Sequence, residues 1–390
     1  MALEFSFLPQ IIKSALNGTG FTIPDDFNPS VFASFAYKHH ISVMCFLPLL
    51  GADKNKYQGL LPTVLTKIIL SESQMHELEI VQNALEEAGI DNQALKGSIL
   101  KNDYPRPELR EMSDIDMVVR EEDLEKTGEI LKKLGFAFTG TEEHHDVYRK
   151  GNGVMIEVHR SLYALDVDNK QKNYFLSFER AKLLPGKQHT FGFSLEDFYV
   201  YMISHTARHF YVRGCGVRNL VDIYVFMNKH GKEIDCKYIA GELEKCGLYD
   251  FEREMRELAY AWLDEKKMTA VQETLLSYLL DSGIYGCEEN GIWNKYMRAD
   301  ALTGKESKKA LHKIYYFPPV ELVKDSYPWV EKHKWLLPVV WVIRGFRAMF
   351  RPKSRKRLNY ISSLDNAEKV KKMQEMYHAV NLQFSTLEEE

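Results

Sequence analysis

Two acidic residues separated by one residue, Asp114 and Asp116, sit in the string Ser113-Asp114-Ile115-Asp116-Met117-Val118-Val119. Apolar Ile115, Met117, Val118 and Val119 mark this string as a β-strand. Successive side chains on a strand point to opposite faces, so the two aspartates point the same way. With a rise of about 3.3 Å per residue, their Cα atoms stand roughly 6–7 Å apart. That separation suits two carboxylates that grip a pair of divalent cations about 3.5–4 Å apart. Upstream, Lys96-Gly97-Ser98 reads as a small-residue turn whose backbone N–H groups can face phosphate at a helix start.

These pieces occur in a larger order. Leu95-Lys96-Gly97-Ser98 is followed by Tyr104-Pro105 and by Arg110-x-x-Ser113-Asp114-Ile115-Asp116. A helix ending Leu134-Gly135-Phe136 comes next, then Met155-Ile156-Glu157-Val158-His159. The set resembles the DNA polymerase β-type nucleotidyltransferases, and within them it is similar to a bacterial branch described as uncharacterised nucleotidyltransferases. The likeness covers residues 80–160, and residues 190–230 more loosely. It implies an α+β fold, with a polymerase β-like core of a small mixed sheet and helices, flanked by helical N- and C-terminal regions. It also implies a metal-dependent enzyme that transfers NMP from an NTP to a hydroxyl acceptor and releases pyrophosphate, with Mg2+ or Mn2+ as cofactor.

Such a transfer needs one cation to activate the attacking hydroxyl and one to hold the triphosphate. On this resemblance Asp114 and Asp116 are the bridging ligands. Glu157 is the third carboxylate, set in an apolar strand where an unpaired charge is costly. Many members of the wider superfamily carry Asp there, and Glu is one methylene longer. Gly97 and Ser98 let the backbone approach phosphate, and Lys96 is a phosphate contact. Arg110 either contacts phosphate or braces its loop against a carboxylate. Ser113 hydrogen-bonds locally and positions Asp114. His159, on the same strand face as Glu157, orients a metal-bound carboxylate, touches substrate, or packs. His205 and His209 share a helix face at i and i+4. With Arg208, Arg218 and Asp222 they stand beside the nucleotide or form a salt-bridged helix pair. The residue after His205 is Thr206, so the His-Glu-x-x-His pattern of helical zinc sites is missing. His144-His145-Asp146 reads as a polar turn rather than a metal cluster.

The elements that must position these residues follow from periodicity. Residues 1–90 read as helices, with a turn and helix start at Pro24–Ser30 and a long helical pattern from Leu61 to Gly89. Ile90–Leu95 reads as a strand, Ser98–Asn102 as a helix start and Ile115–Val119 as a strand. A helix over Glu122–Leu134 follows, then strands at Phe136–Phe138, Asp146–Arg149 and Val154–His159. Ser194-x-x-Asp197 opens a second helical region. The division expected is 1–80 N-terminal helical, 81–190 nucleotidyltransferase core, 191–300 helical, and 301–390 a C-terminal helical extension that begins with a polar linker at 301–312. Trp335–Phe350 is strongly apolar and is followed by basic RPKSRKR. Arg344, Arg347 and Arg351 line one helix side. The segment is too short and charged to span a bilayer of about 20 residues. It is either an interfacial helix making weak membrane-surface contact through 335–357, or a helix buried against the helical domain. Burial is the expectation.

Composition narrows the rest. The 390 residues are 45% hydrophobic and 27% charged with a net charge of −4, as in a globular protein without a global nucleic-acid footprint. No stable nucleic-acid complex is expected. Five scattered cysteines without Cys-x-x-Cys suggest neither a disulfide framework nor a cysteine zinc site. The first residues lack a basic segment followed by an apolar run, so a cytoplasmic, unexported protein is expected. No Gly-x-Gly-x-x-Gly follows a strand, which disfavours flavin or nicotinamide chemistry. NTP is the expected partner, and the acceptor is open between a small molecule, tRNA and protein. The alternatives are a nucleotidyltransferase-like toxin acting on RNA or protein, and a non-catalytic nucleotide-binding regulator. Loss of an acidic ligand would favour the regulator, and Asp114, Asp116 and Glu157 are all present.

Overall fold

The structure is a computed structural model. It describes residues 6–24, 27–142, 145–162, 171, 174–175, 178–294, 316–320, 323–324, 326–349 and 367–382. The chain opens with helices Leu8–Asn17, Pro29–His39 and Ser42–Ala52. Asn28 caps the second of these, its side chain accepting from the N–H groups of Ser30 and Val31. A 27-residue helix, Leu61–Glu87, then leads into the sheet.

Among the described residues the sheet has seven strands. They are β1 (Asn92–Ala94), β2 (Ile115–Val119), β3 (Ala137–Glu142), β4 (His145–Arg149), β5 (Met155–His159), β6 (Lys182–Leu183) and β7 (Thr190–Gly192), in the spatial order β3-β4-β5-β2-β1-β7-β6. β2–β5 and β1–β7 are parallel and the other pairs antiparallel. The fold is therefore α+β with a mixed sheet. β1 is shorter than Ile90–Leu95 because the Ile90 N–H completes the end of the long helix, donating to Leu85 O at 2.9 Å. The turn after β1 gives one helical turn, Gly97–Leu100, and then a 3-10 turn, Lys101–Asp103, in place of a longer helix.

One face of the sheet is sealed. Ile115, Met117 and Val119 of β2, with Ile156 and Val158 of β5, pack on Leu78, Val81 and Leu85 of the long helix and Leu131 of the Leu124–Lys133 helix. The opposite face carries Val118 and joins a larger core, formed by the N-terminal helices together with Leu195–Val212, Arg218–His230, Cys236–Lys245, Tyr249–Leu263 and Ala270–Ser282. Helices before residue 60 and after residue 194 thus share one apolar interior. Ser194 caps the first of the later helices, accepting from the Asp197 N–H.

The C-terminal helix Leu337–Met349 differs from the expected burial. Val340 is fully buried, against Val320, Val323, Tyr327 and Val330, with Leu337 and Ile343 half-buried beside it. Among the described residues these partners are local and do not include the helical domain. Trp335 stays 76% exposed, and Val339, Val342 and Phe346 are exposed as well. Among the described residues no helix is long and apolar enough to cross a membrane. The linker expected at 301–312 and the basic run 351–357 lie outside the described residues.

Candidate active site

Asp114 immediately precedes β2, and Asp116 is its second residue. Parallel pairing of β2 with β5 sets Asp116 beside Glu157 and Val118 beside His159. Antiparallel pairing of β5 with β4 sets His159 beside His145. Alternation sends all of these to the sheet face away from the Leu78–Leu85 packing. Asp114, Asp116, Glu157, His159 and His145 therefore gather at one place.

Asp116 Oδ1 accepts from Lys96 Nζ at 3.0 Å and lies 2.8 Å from His159 Nε2. The charge of Glu157 bears on Asp114 and makes its ionisation harder. Burial, and then the charge of Asp116, push both of these carboxyls up, to about 7. Asp116 goes the other way. Burial works against its charge, but the Lys96 ammonium and the His159 bond hold it well below the usual carboxylate range. Burial also lowers His159 and His145, so both rings are neutral near pH 7. The His159–Asp116 contact is then a neutral N–H donating to a carboxylate rather than an ion pair.

The turn before the site is shaped by two constraints. Lys96 has φ +48° and ψ −113°, a conformation suited to glycine that strains another residue by about 1–3 kcal/mol. It is held by the Leu95 N–H donating to Asp116 O at 2.9 Å and the Leu100 N–H donating to Lys96 O at 3.0 Å. Gly97 has no room for a side chain, since a Cβ there would stand 2.3 Å from Arg110 Nη1. Arg110 is itself committed. Its Nε and Nη2 donate to Asp222 Oδ1 and Oδ2 at 3.2 and 3.0 Å, and Tyr104 Oη donates to Asp222 Oδ1 at 2.6 Å. Of the two roles held open for Arg110, this geometry is the brace, and it ties the turn to the Arg218–His230 helix. The Ser98 hydroxyl is turned inward, donating to Leu95 O at 2.9 Å.

Arg218 Nη1 donates to Glu111 O at 2.7 Å. Burial, and then repulsion by Arg110, bring it down to about 10, and its charge reaches Asp114. Glu111 accepts from Ser42 Oγ and the Val43 N–H at 2.7 and 2.9 Å, anchoring the same loop to the N-terminal helices. Ser113 does not bond locally as expected. Its hydroxyl meets the Tyr285 hydroxyl and His40 Nδ1, residues remote in sequence. His205 and His209 stand with their Nε2 atoms 3.0 Å apart, close enough for His205 to feel both Asp116 and Lys96. Dense surroundings lower both rings, although His209 keeps an exposed edge.

His145 is the residue that sequence reasoning missed. It lies in β4 and not in a polar turn, with Nε2 3.3 Å from Glu157 Oε2 and its ring centroid 4.8 Å from that of His159. Its signal in the sequence was alternation: His145-x-Val147 matches Glu157-x-His159 once the strands pair. His144 lies outside the described residues.

The three carboxylates suit a divalent ion. They offer only oxygen donors, as Mg2+ prefers, and their mutual crowding is the repulsion that a dication relieves.

Comparison with known proteins places the chain in a family. No curated protein matches the chain. Among solved structures, the solution structure of the antibiotic-resistance factor ANT(2'')-Ia is similar at 12% identity and a TM-score of 0.32, over 50% of this chain and 97% of that one. An antigenic nucleotidyltransferase-like protein from Paracoccidioides brasiliensis is similar at 18% identity and a TM-score of 0.34, over 52% of this chain and 97% of that one. At such scores these likenesses carry no argument, and the assignment rests on sequence. The family profile described as "Uncharacterised nucleotidyltransferase" matches residues 54–264, more than half of the chain and the whole carboxylate site, so this protein belongs to the uncharacterised nucleotidyltransferase family.

Proposed function

We infer that the protein transfers a nucleotidyl group from an NTP to a hydroxyl acceptor in a reaction dependent on Mg2+ or Mn2+. The observation that carries this reading is the placement of Asp116 beside Glu157 on paired strands, with Asp114 immediately before β2 on the same side of the sheet. Bound divalent ions would supply charge for the triphosphate and for the developing alkoxide. Asp114 and Asp116 would hold both ions, and Glu157 would serve only the ion at the attacking hydroxyl. Lys96 keeps Asp116 ionised and brings a positive charge to the place where phosphate oxygens would sit. His159 fixes the orientation of the Asp116 carboxylate. Gly97, Arg110, Tyr104 and Asp222 hold the turn rigid, which supports positioning of the reacting groups. Arg218, Ser113, His205 and His209 surround the site and are candidates for contact with the nucleotide.

The experiment is incubation with each α-labelled NTP and Mg2+ or Mn2+, followed by mass spectrometry of the protein and of added tRNA. The expected result is a mass increase of one NMP on an acceptor, lost in Asp116→Asn. Binding of NTP without any transfer or pyrophosphate release would favour the non-catalytic regulator.

A further inference from the structure

We propose that His145, Glu157 and His159 form a site for a four-coordinate transition ion such as Zn2+, overlapping the carboxylate site and withdrawing Glu157 from it. The binding site stands on ligand geometry alone, whereas its inhibitory consequence rests on the proposed nucleotidyl transfer.

Ligand atoms bound to zinc at about 2.0–2.1 Å in a tetrahedron stand roughly 3.3 Å apart. His145 Nε2 is 3.3 Å and His159 Nε2 3.7 Å from the same oxygen, Glu157 Oε2. One ligand atom from each of the three residues lies within 4.8 Å of the others, and rotation of an imidazole shortens the longest edge. Asp116 Oδ1, 2.8 Å from His159 Nε2, is within reach of the fourth position. The backbone supports the arrangement, because β4 and β5 pair His145 directly with His159 and hold both rings on one sheet face.

Chemistry separates this ion from Mg2+. Imidazole nitrogens suit Zn2+ and its visible stand-in Co2+, whereas Mg2+ and Mn2+ keep to oxygen ligands. Neutral imidazole is the form that binds metal. When His159 Nε2 takes the ion, its proton moves to Nδ1 and its bond to Asp116 is lost. Glu157 is then shared with an ion that the nucleotidyl reaction does not use. Micromolar Zn2+ should therefore inhibit a Mg2+-dependent transfer.

The test uses the full chain, stripped of metal and free of nucleotide, titrated with Co2+ as a visible probe. The expected result is one bound Co2+ with the intense d–d absorption of four-coordination, bleached by Zn2+ and unaffected by excess Mg2+. His145→Ala and the more conservative His145→Asn should weaken binding by more than the roughly 10–100-fold that loss of an outer-shell partner brings. Asp114→Asn should keep the spectrum. A pale six-coordinate spectrum in the wild-type protein would overturn the proposal, whatever the variants do. So would unchanged Co2+ affinity in folded His145→Asn. Neither outcome depends on transfer activity, so failure here is distinguishable from failure of the nucleotidyltransferase reading.

Discussion

At the scale of single residues, the site is a contest of charges. Asp116 is held ionised by Lys96 and His159, while burial and the Asp116 charge push Asp114 and Glu157 up to about 7. If Glu157 serves only the ion at the nucleophile, Glu157→Gln should bind Mg2+·NTP within a few-fold of wild type. It should slow transfer by about 100-fold or more, read as single-turnover rate against calorimetric affinity. Wild-type turnover would make Glu157 merely structural. Gly97 answers to a different force. A methyl at Gly97 would displace the Arg110 guanidinium from Asp222, and disturbing a buried pair costs about 3–5 kcal/mol. Gly97→Ala should therefore lower the denaturation midpoint markedly before any effect on phosphate is measurable. A variant of wild-type stability would show that Arg110 can move aside.

At the scale of elements, the sequence exposed what is local and concealed what is paired. Asp114 and Asp116 could be placed on one strand face because alternation is a property of a single strand. His145 could not be joined to Glu157 and His159, because strand register is fixed by packing and not by composition. Arg110 was undecided for the same reason, since its partner Asp222 lies 112 residues away. The long helix and its stop were legible because Gly89, at φ +69°, ends it. The C-terminal helix was misjudged because an apolar run does not name its partners. Here they are Val320, Val323, Tyr327 and Val330. Val340→Asp should unfold this small cluster, as a buried unpaired carboxylate is costly. Trp335→Ala, at a 76% exposed position, should stay within about 0.5 kcal/mol of wild type. Equal effects in chemical denaturation would mean that Trp335 is covered in solution.

At the scale of the whole molecule, buried groups of opposite type shape the pH dependence. Burial lowers His39 to about 3 and His40 to about 4, so the unfolded chain binds more protons than the folded one up to about pH 6.5. These histidines make stability rise with pH to that point. Asp114 and Glu157 have folded values of about 7 against ordinary values of 3.8 and 4.5, so the folded chain holds their proton longer. They oppose that rise and, once the histidines have finished titrating, make stability fall through pH 7. Metal-free protein should lose stability as the pH rises through 7, and that fall should shrink in Glu157→Gln, which leaves only Asp114 to drive it, as denaturation between about pH 6 and pH 8 would read. A fall of undiminished size in that variant would assign it to other groups. Metal binding must also displace the protons of these raised carboxyls, so Mg2+ affinity should rise across the same interval.

The central claim is that the three carboxylates gathered by β2 and β5 hold divalent ions for a nucleoside triphosphate. Isothermal titration of the full chain with NTP, with and without Mg2+, on wild type and on Asp114→Asn/Asp116→Asn, tests it most directly. Saturable binding that requires Mg2+ and is lost in the double variant is the expected result. Equal NTP affinity with both carboxylates removed would contradict it.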